Sequence, residues 1–235
     1  MQEGVLPLAE KFISVQGEGQ WVGTLMLFVR LAGCNVGRPA AAVKAEQHPF
    51  PVLPNGREAM ACTTYDGRTF PCDTDYLRSS TIARHEIVDE ARHERIEHVC
   101  ITGGEPMMYA DKLLLLADDL RPFNTKMHIE TSGTIMPPKV LSRLIMPDVW
   151  ITVSPKIGAL DEMINRSDEL KLLVDDSFDM YKLTQAMLDH RNVFLCPING
   201  VDEITKHNVE KCCEIQRTMP WWRISFQVHK LFGWR

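Results

Sequence analysis

The chain has 235 residues, 45% of them apolar, and a formal net charge of −5 with acidic and basic residues interspersed. That is enough apolar chain for one full core, and it lacks the Lys/Arg stripe that neutralises phosphates, so direct binding to nucleic acid is not expected. No basic stretch followed by an apolar run opens the sequence and no segment approaches the roughly 18 apolar residues of a membrane span, so a cytoplasmic protein of one domain, 1–235, is expected.

The first apolar run, 25–31, reads as a strand and leads directly to Cys34. Residues 35–71 show neither helical nor strand period and carry Pro39, Pro49, Pro51, Pro54 and Pro71 with Gly37, Gly56 and Gly67, which predicts a long loop bracketed by cysteines. Over 81–96, Ile82, Val88 and Ala91 leave one apolar flank among charges, behind Ser79, Ser80 and Thr81 as N-cap candidates, so a helix is expected. Strands follow at 98–102, 126–130, 149–153, 169–174, 192–196 and 223–227, with helices at 113–120, 178–190 and 208–218. Alternation of this kind builds parallel βα units. About seven strands are too few to close the usual eight-stranded barrel, so the expected fold is α/β, a partial, open (β/α) barrel with its site at the C-terminal strand ends.

Seven cysteines is an odd count, which favours metal or redox chemistry over a disulfide framework. Cys34, Cys62 and Cys72 form the strongest cluster. Three thiolates can hold three irons of a four-iron cluster and leave the fourth open to a ligand bearing an amine and a carboxylate. The intervening 27 and 9 residues match no standard zinc spacing, yet a zinc site completed by His48, or three unrelated thiols, is the competing reading. Thr102-Gly103-Gly104-Glu105-Pro106 sits at a strand-to-helix turn, where two glycines admit a close ligand and a carboxylate can accept from an ammonium; an ordinary turn is the plainer reading. Cys100, Cys212 and Cys213 read as inert thiols, and Trp221 and Trp222 as packing residues.

Gln16-Gly17-Glu18-Gly19, Arg30-Leu31-Ala32-Gly33-Cys34-Asn35, Cys72-Asp73-Thr74-Asp75, Thr102-Gly103-Gly104-Glu105-Pro106, Glu130-Thr131-Ser132-Gly133, Ser154-Pro155-Lys156, Glu169-Leu170-Lys171 and Gln227-Val228-His229-Lys230 occur in one order. That ordered set resembles the 7-carboxy-7-deazaguanine synthases of the radical S-adenosylmethionine superfamily, over almost the whole chain apart from 36–69. The resemblance implies a homodimer with a shortened partial barrel that rearranges 6-carboxy-5,6,7,8-tetrahydropterin to 7-carboxy-7-deazaguanine with loss of ammonia, on the route to deazapurines such as queuosine. It implies a 4Fe-4S cluster, S-adenosylmethionine and Mg²⁺ as cofactors, and an electron donor such as flavodoxin or ferredoxin. Two other readings are a glycyl-radical-enzyme activase, against which the Gln-Gly-Glu-Gly opening and the 227–230 segment argue, and a non-enzymatic zinc-stapled binding module.

Carried over position by position, the resemblance assigns Cys34, Cys62 and Cys72 to the cluster and Gly103, Gly104, Glu105, Ser154, Lys156 and Cys196 to S-adenosylmethionine. It gives Thr74 to Mg²⁺ and Gln16, Glu18, Arg30 and Thr102 to the substrate, with Glu18, Arg30 and Thr102 as the catalytic set, and it places the α-carboxylate of Arg235 near the substrate or its Mg²⁺. Packing of Phe232 and Trp234 over the open side of the barrel is the other reading of that tail. Two departures stand out: nine residues part Cys62 from Cys72 where relatives keep a close final pair, and Cys196-Pro197 stands where relatives often have Gln-Pro.

Overall fold

The computed structural model describes residues 4–39, 50, 52, 56–72, 74–77, 80–136, 148–199 and 204–228. Nine strands form one sheet. Strands β1 (Val5–Val15) and β2 (Leu25–Leu31) pair antiparallel, and a separate hairpin follows from β3 (Ala61–Thr63) and β4 (Thr69–Pro71). Next come β5 (Ser80–Ala83), α1 (Arg84–His93), β6 (His98–Gly103), α2 (Ala110–Leu120), β7 (Lys126–Thr131) and β8 (Val149–Val153). The chain continues through α3 (Asp161–Arg166), β9 (Glu169–Val174), α4 (Gln185–Leu188), β10 (Val193–Pro197), α5 (Lys206–Thr218) and β11 (Arg223–Ile224). The sheet order is β11-β10-β9-β8-β7-β6-β2-β1-β5, parallel from β2 to β11, and its two end strands do not pair with each other. An open parallel sheet with helices on its outer face is the architecture the alternation predicts.

Side chains alternate across each strand. Outward residues Leu27, Val29, Leu31, Val99, Ile101, Met127, Ile129, Ile151, Val153, Leu170, Leu172, Val193 and Leu195 are buried in the main core. Helix α2 supplies Leu113, Leu116, Ala117 and Leu120 from one face, at the i, i+3, i+4, i+7 spacing that buries a stripe; each such leucine contributes roughly 1.5–3 kcal/mol. Inward residues of the same strands line the interior, apolar at the floor and polar toward the strand C-termini.

The structure corrects the sequence reading at several elements. Residues 61–71 form a hairpin within the supposed loop: Gly67 N–H donates to Thr64 O and Thr64 N–H to Arg68 O, so Asp66-Gly67 turns the chain. Residues 80–83 belong to β5, paired with β1, and not to the helix; α1 starts at Arg84, where the Glu86 carboxylate accepts the Ala83 N–H at 2.7 Å. The expected helix 178–190 breaks into a 3₁₀ turn at Met180–Lys182 and the single turn α4, because the Asp179 carboxylate takes the Tyr181 N–H and caps locally. Only Arg223–Ile224 of the expected 223–227 strand pairs as a strand; Ser225 N–H still donates to Leu195 O at 2.9 Å, while its hydroxyl accepts the Gly19 N–H. Strand β1 escaped the reading through Pro7, which demotes a strand signal, and α3 through its length of six residues.

Candidate active site

A chamber of about 340 Å³ opens at the C-terminal ends of β2, β6, β7, β8, β9 and β10. Nearly every expected site residue among the described ones lines it: Gln16, Glu18, Arg30, Cys34, Cys62, Cys72, Thr74, Thr102, Gly103, Gly104, Ser154, Lys156 and Cys196. His48 and Arg235 lie outside the described residues, as does the tail from His229 onward.

One wall carries the thiols. Cys34 follows β2, and its sulfur accepts the backbone N–H groups of Val36 and Gly37, each at 3.4 Å. Cys62 lies on β3 opposite Phe70, and Cys72 N–H extends that ladder by donating to Met60 O at 2.7 Å. Because paired residues share a face and residues two apart share a face, Cys62 and Cys72 point to the same side of the hairpin. Nine intervening residues are therefore spent on a turn that brings the two thiols back together. The hairpin is pinned to its neighbours: Arg38 pairs with Ala61, Tyr65 N–H donates to Pro155 O, and Ile157 N–H donates to Thr63 O. Arg68, largely buried, adds ion pairs to Asp66 and Asp175 at 2.7 Å each and a hydrogen bond to Leu173 O at 2.8 Å.

Tyr76 tests whether this wall fits an iron–sulfur cluster. Its hydroxyl is buried with no hydrogen-bond partner among the described residues, and burial, then Cys34, Cys72 and Cys62, push its ionisation up. Three thiols, one after β2 and two on the hairpin, thus lie near one orphaned hydroxyl. The donor set fits a cluster.

The loop after β6 packs against that wall. A Cβ on Gly104 would meet the Gly33 carbonyl oxygen at 1.8 Å, and Gly103 has φ +122°, so only glycines let this backbone approach Cys34. Across the chamber, Lys156 Nζ donates to Ser154 O and Ser154 Oγ, both at 2.8 Å; burial lowers its pKa, with Cys62 and Cys72 opposing. Glu105 does not behave as expected. Its carboxylate is fully buried and accepts from Met107 N, Thr131 Oγ1, Ser132 N and Ser132 Oγ. Those bonds fill a carboxylate's four acceptor sites, so the side chain braces the loop after β7 and is not placed to take a ligand's ammonium.

The opposite wall is a charged network. Lys171 Nζ donates to Glu18 Oε2 at 2.9 Å and to Glu130 Oε1 at 3.0 Å. Thr102 Oγ1 donates to Glu130 Oε2 at 2.9 Å, and Gln227 Nε2 to Glu18 Oε1 at 2.8 Å. Burial raises the Glu130 carboxyl, but Lys171 and the hydrogen bonds outweigh it and leave it below the usual range. Lys171 is likewise disfavoured by burial, yet Glu130 and Glu18 hold its pKa well above normal. Arg30 stands beside this network, donating from Nε to Glu10 at 2.9 Å and from Nη1 to Thr74 Oγ1 at 2.8 Å. Glu18 is held by its loop: the Gly19 N–H bonds Ser225 and the Gln20 N–H bonds Glu169. Cys196 lies on the same wall, its thiol kept protonated first by burial and then by Glu18.

Glu130 and Lys171 are functional candidates to which the sequence reading gave no role. Both stood inside quoted motifs, and the alternation of Glu169, Lys171 and Leu173 against Leu170, Leu172 and Val174 is the signal that could have found Lys171.

No family model matches the chain. It is similar to the 7-carboxy-7-deazaguanine synthase of Bordetella pertussis, 31% identical over 239 residues covering 95% of this chain and 96% of that protein. It is also similar to the 7-carboxy-7-deazaguanine synthase of Escherichia coli, 32% identical over 235 residues covering 95% and 96%. Among solved structures, the crystal structure of QueE from Escherichia coli matches with a TM-score of 0.65 and 26% identity, covering 96% of this chain and 95% of that chain. Similarity at that level along nearly the full length of both partners, on a fold whose strand ends gather three thiols and a carboxylate pair, makes this chain a member of the 7-carboxy-7-deazaguanine synthase family.

Proposed function

We propose that the chamber converts 6-carboxy-5,6,7,8-tetrahydropterin to 7-carboxy-7-deazaguanine with loss of ammonia, as the family name implies. The observation that carries this reading is the division of the chamber into a thiol wall and a hydrogen-bonding wall within one cavity. The family's cofactors are a 4Fe-4S cluster, S-adenosylmethionine and Mg²⁺, and its chemistry calls for a reductant. Held here and reduced, the cluster and S-adenosylmethionine would supply the radical chemistry that the rearrangement needs.

In this reading Cys34, Cys62 and Cys72 would hold the cluster, and Gly103, Gly104, Ser154 and Lys156 would hold S-adenosylmethionine, with Cys196 buried in the charged wall and Glu105 acting through the loop it braces. Arg30 has two of its N–H donors engaged by Glu10 and Thr74, so its guanidinium is oriented to present the others to the substrate carboxylate. Thr74, whose hydroxyl also accepts from Arg30, would hold Mg²⁺ through that oxygen, a fitting share for a hard ion that keeps several waters. Glu18, Glu130, Gln16 and Thr102 face the amino-pyrimidine edge. Phe12, Phe28, Phe70 and Tyr76 line the chamber and would help keep water and stray hydrogen donors from the reacting carbon.

The chain is proposed to act as a homodimer of one domain, 1–235, in the cytoplasm, reduced by flavodoxin or ferredoxin and making no direct contact with nucleic acid. Among the described residues no helix is long and apolar enough to cross a membrane. Membership of the family leaves the activase and the zinc module without support. Anaerobic turnover of 6-carboxytetrahydropterin with S-adenosylmethionine, Mg²⁺ and a strong reductant should yield a product of the mass of 7-carboxy-7-deazaguanine. Its absence from well-loaded protein, beside an active relative, would overturn the assignment.

A further inference from the structure

Two carboxylates at the substrate wall share one ammonium. Glu18 arrives from the loop after β1 and Glu130 from β7, and Lys171 reaches up between them from β9 with its side chain only 8% exposed. Two anions this close to a common point do not both stay ionised unaided: their repulsion and their partial burial drive one of them to take a proton near neutrality. A protonated carboxyl donates where an ionised one only accepts. The 2-amino group and ring N–H of an amino-pyrimidinone are donors, so protonation of either acid would set a donor against a donor.

We infer that Lys171 is a positioning residue which keeps Glu18 and Glu130 ionised together, so that the pair accepts the donor edge of the heterocycle as one unit. The inference rests on the chamber being the pterin site. Three features of the geometry support it. The ammonium touches one oxygen of each acid, while Gln227 and Thr102 each donate to the other oxygen of one acid, so every protein contact described on the pair is a donor's and favours the ionised form. Gln16 Nε2 adds a further donor to Glu130 Oε1 at 3.5 Å, and a carboxylate has about four acceptor positions in all. Finally, Glu169 lies two residues back on the same strand face, and its charge also favours the ammonium, though less than Glu130 and Glu18 do. Glu169 itself is pushed up by burial, so it takes up a proton more readily than an exposed glutamate.

The titratable groups facing Lys171 are Glu18, Glu130 and Glu169, with the thiols of Cys196 on β10 and Cys100 on β6. Both thiols are raised well above their usual range, chiefly by burial, and stay neutral through the working range. Arg30, His128 and Lys156 stand further off around the same pair.

The test is equilibrium binding of 6-carboxytetrahydropterin to anaerobically reconstituted protein with S-adenosylmethionine and no reductant, from pH 6 to pH 9. Lys171→Met should bind about tenfold more weakly at pH 7, or worse, and recover as the pH rises, since each unit below the pair's raised pKa costs about tenfold in the doubly ionised form. Lys171→Arg should restore the flat profile, and iron and sulfide content should match the wild type in both. Where Lys171→Met fails to fold, the double variant Lys171→Met, Glu18→Gln removes one of the two like charges and should bind weakly with no pH dependence. A Lys171→Met protein with unchanged affinity, or with a loss equal at every pH, would overturn the inference, as would a double variant that still titrates. Failure of the wild-type protein to bind this pterin at all would instead strike the substrate assignment.

Discussion

The interior of the sheet has a floor and a mouth built on the same strands, and the two ends differ in kind. At the floor, Trp21 packs on the rings of His98, His128 and Trp150 with centroids 5.0–5.4 Å apart, and Met26, Phe28 and Cys100 form a small cluster with Phe12 beside it. Two residues further along those strands, Arg30, Thr102 and Glu130 replace the rings of Phe28 and His128 and the thiol of Cys100 with charge and hydrogen bonds. Strand alternation puts both sets inside, so alternation by itself does not distinguish packing from chemistry. What separates them is the loops: only at the C-terminal ends do the chain's returns bring in Cys34, Cys62, Cys72, Lys156 and Glu18 to face the strand residues.

The sharpest way to break this contrast is to move one thiol change between the ends. Cys62→Ala, at the mouth, should abolish cluster loading and with it cleavage of S-adenosylmethionine. Cys100→Ala, two residues below Thr102 on the floor, should leave both intact. Iron and sulfide analysis with a 5′-deoxyadenosine assay reads the outcome, and full loading in Cys62→Ala would show that the hairpin does not supply a ligand.

Thr74→Ala sharpens the contrast within the mouth, between the thiol wall and the substrate wall. The hydroxyl accepts from Arg30 Nη1 at 2.8 Å, on the substrate side of the chamber, so its loss should lower turnover by about 10- to 100-fold while cleavage of S-adenosylmethionine uncoupled from product formation changes little. Equal losses in the two assays would remove Thr74 from the metal's site.

The mouth and the floor were unequally legible in the sequence. Parallel strands such as β2, β6 and β10 read clearly because buried parallel strands are continuous apolar runs. The hairpin that carries Cys62 did not, because β3 and β4 are three residues each and five prolines across 35–71 drown a short ladder, although Asp66-Gly67 marks its turn. Roles divided the same way. That Cys34, Thr74 and Arg30 share one chamber was legible in their order along the chain, but Glu105 could not be told to be filled by the protein's own donors, nor Lys171 to stand between two carboxylates, since both facts depend on which neighbours fill the space around a buried charge. Glu105 has four donors of the protein's own, and Lys171 has two acceptors held at the cavity wall.

The floor has its own signature in pH. His98 Nδ1 and His128 Nε2 are 2.9 Å apart, a hydrogen bond that needs one ring to donate and the other to accept. Burial, then His98, brings the pKa of His128 from its ordinary 6.5 down to about 3, and burial followed by Lys126 lowers His98 as well. The unfolded chain therefore binds a proton at His128 between about pH 6.5 and 3 that the folded chain refuses, so this residue's contribution to stability falls as the pH falls through that window. At about 1.4 kcal/mol per pH unit, the loss from pH 6.5 to pH 5 comes to about 2 kcal/mol. Denaturant unfolding at the two pH values should show that loss in the wild type and a smaller one, by about that amount, in His128→Asn, which keeps a polar side chain beside His98 but has no proton to take. Equal acid sensitivity in the two proteins would mean that the folded floor accepts the proton, and that the ring cluster is no drier than the chamber above it.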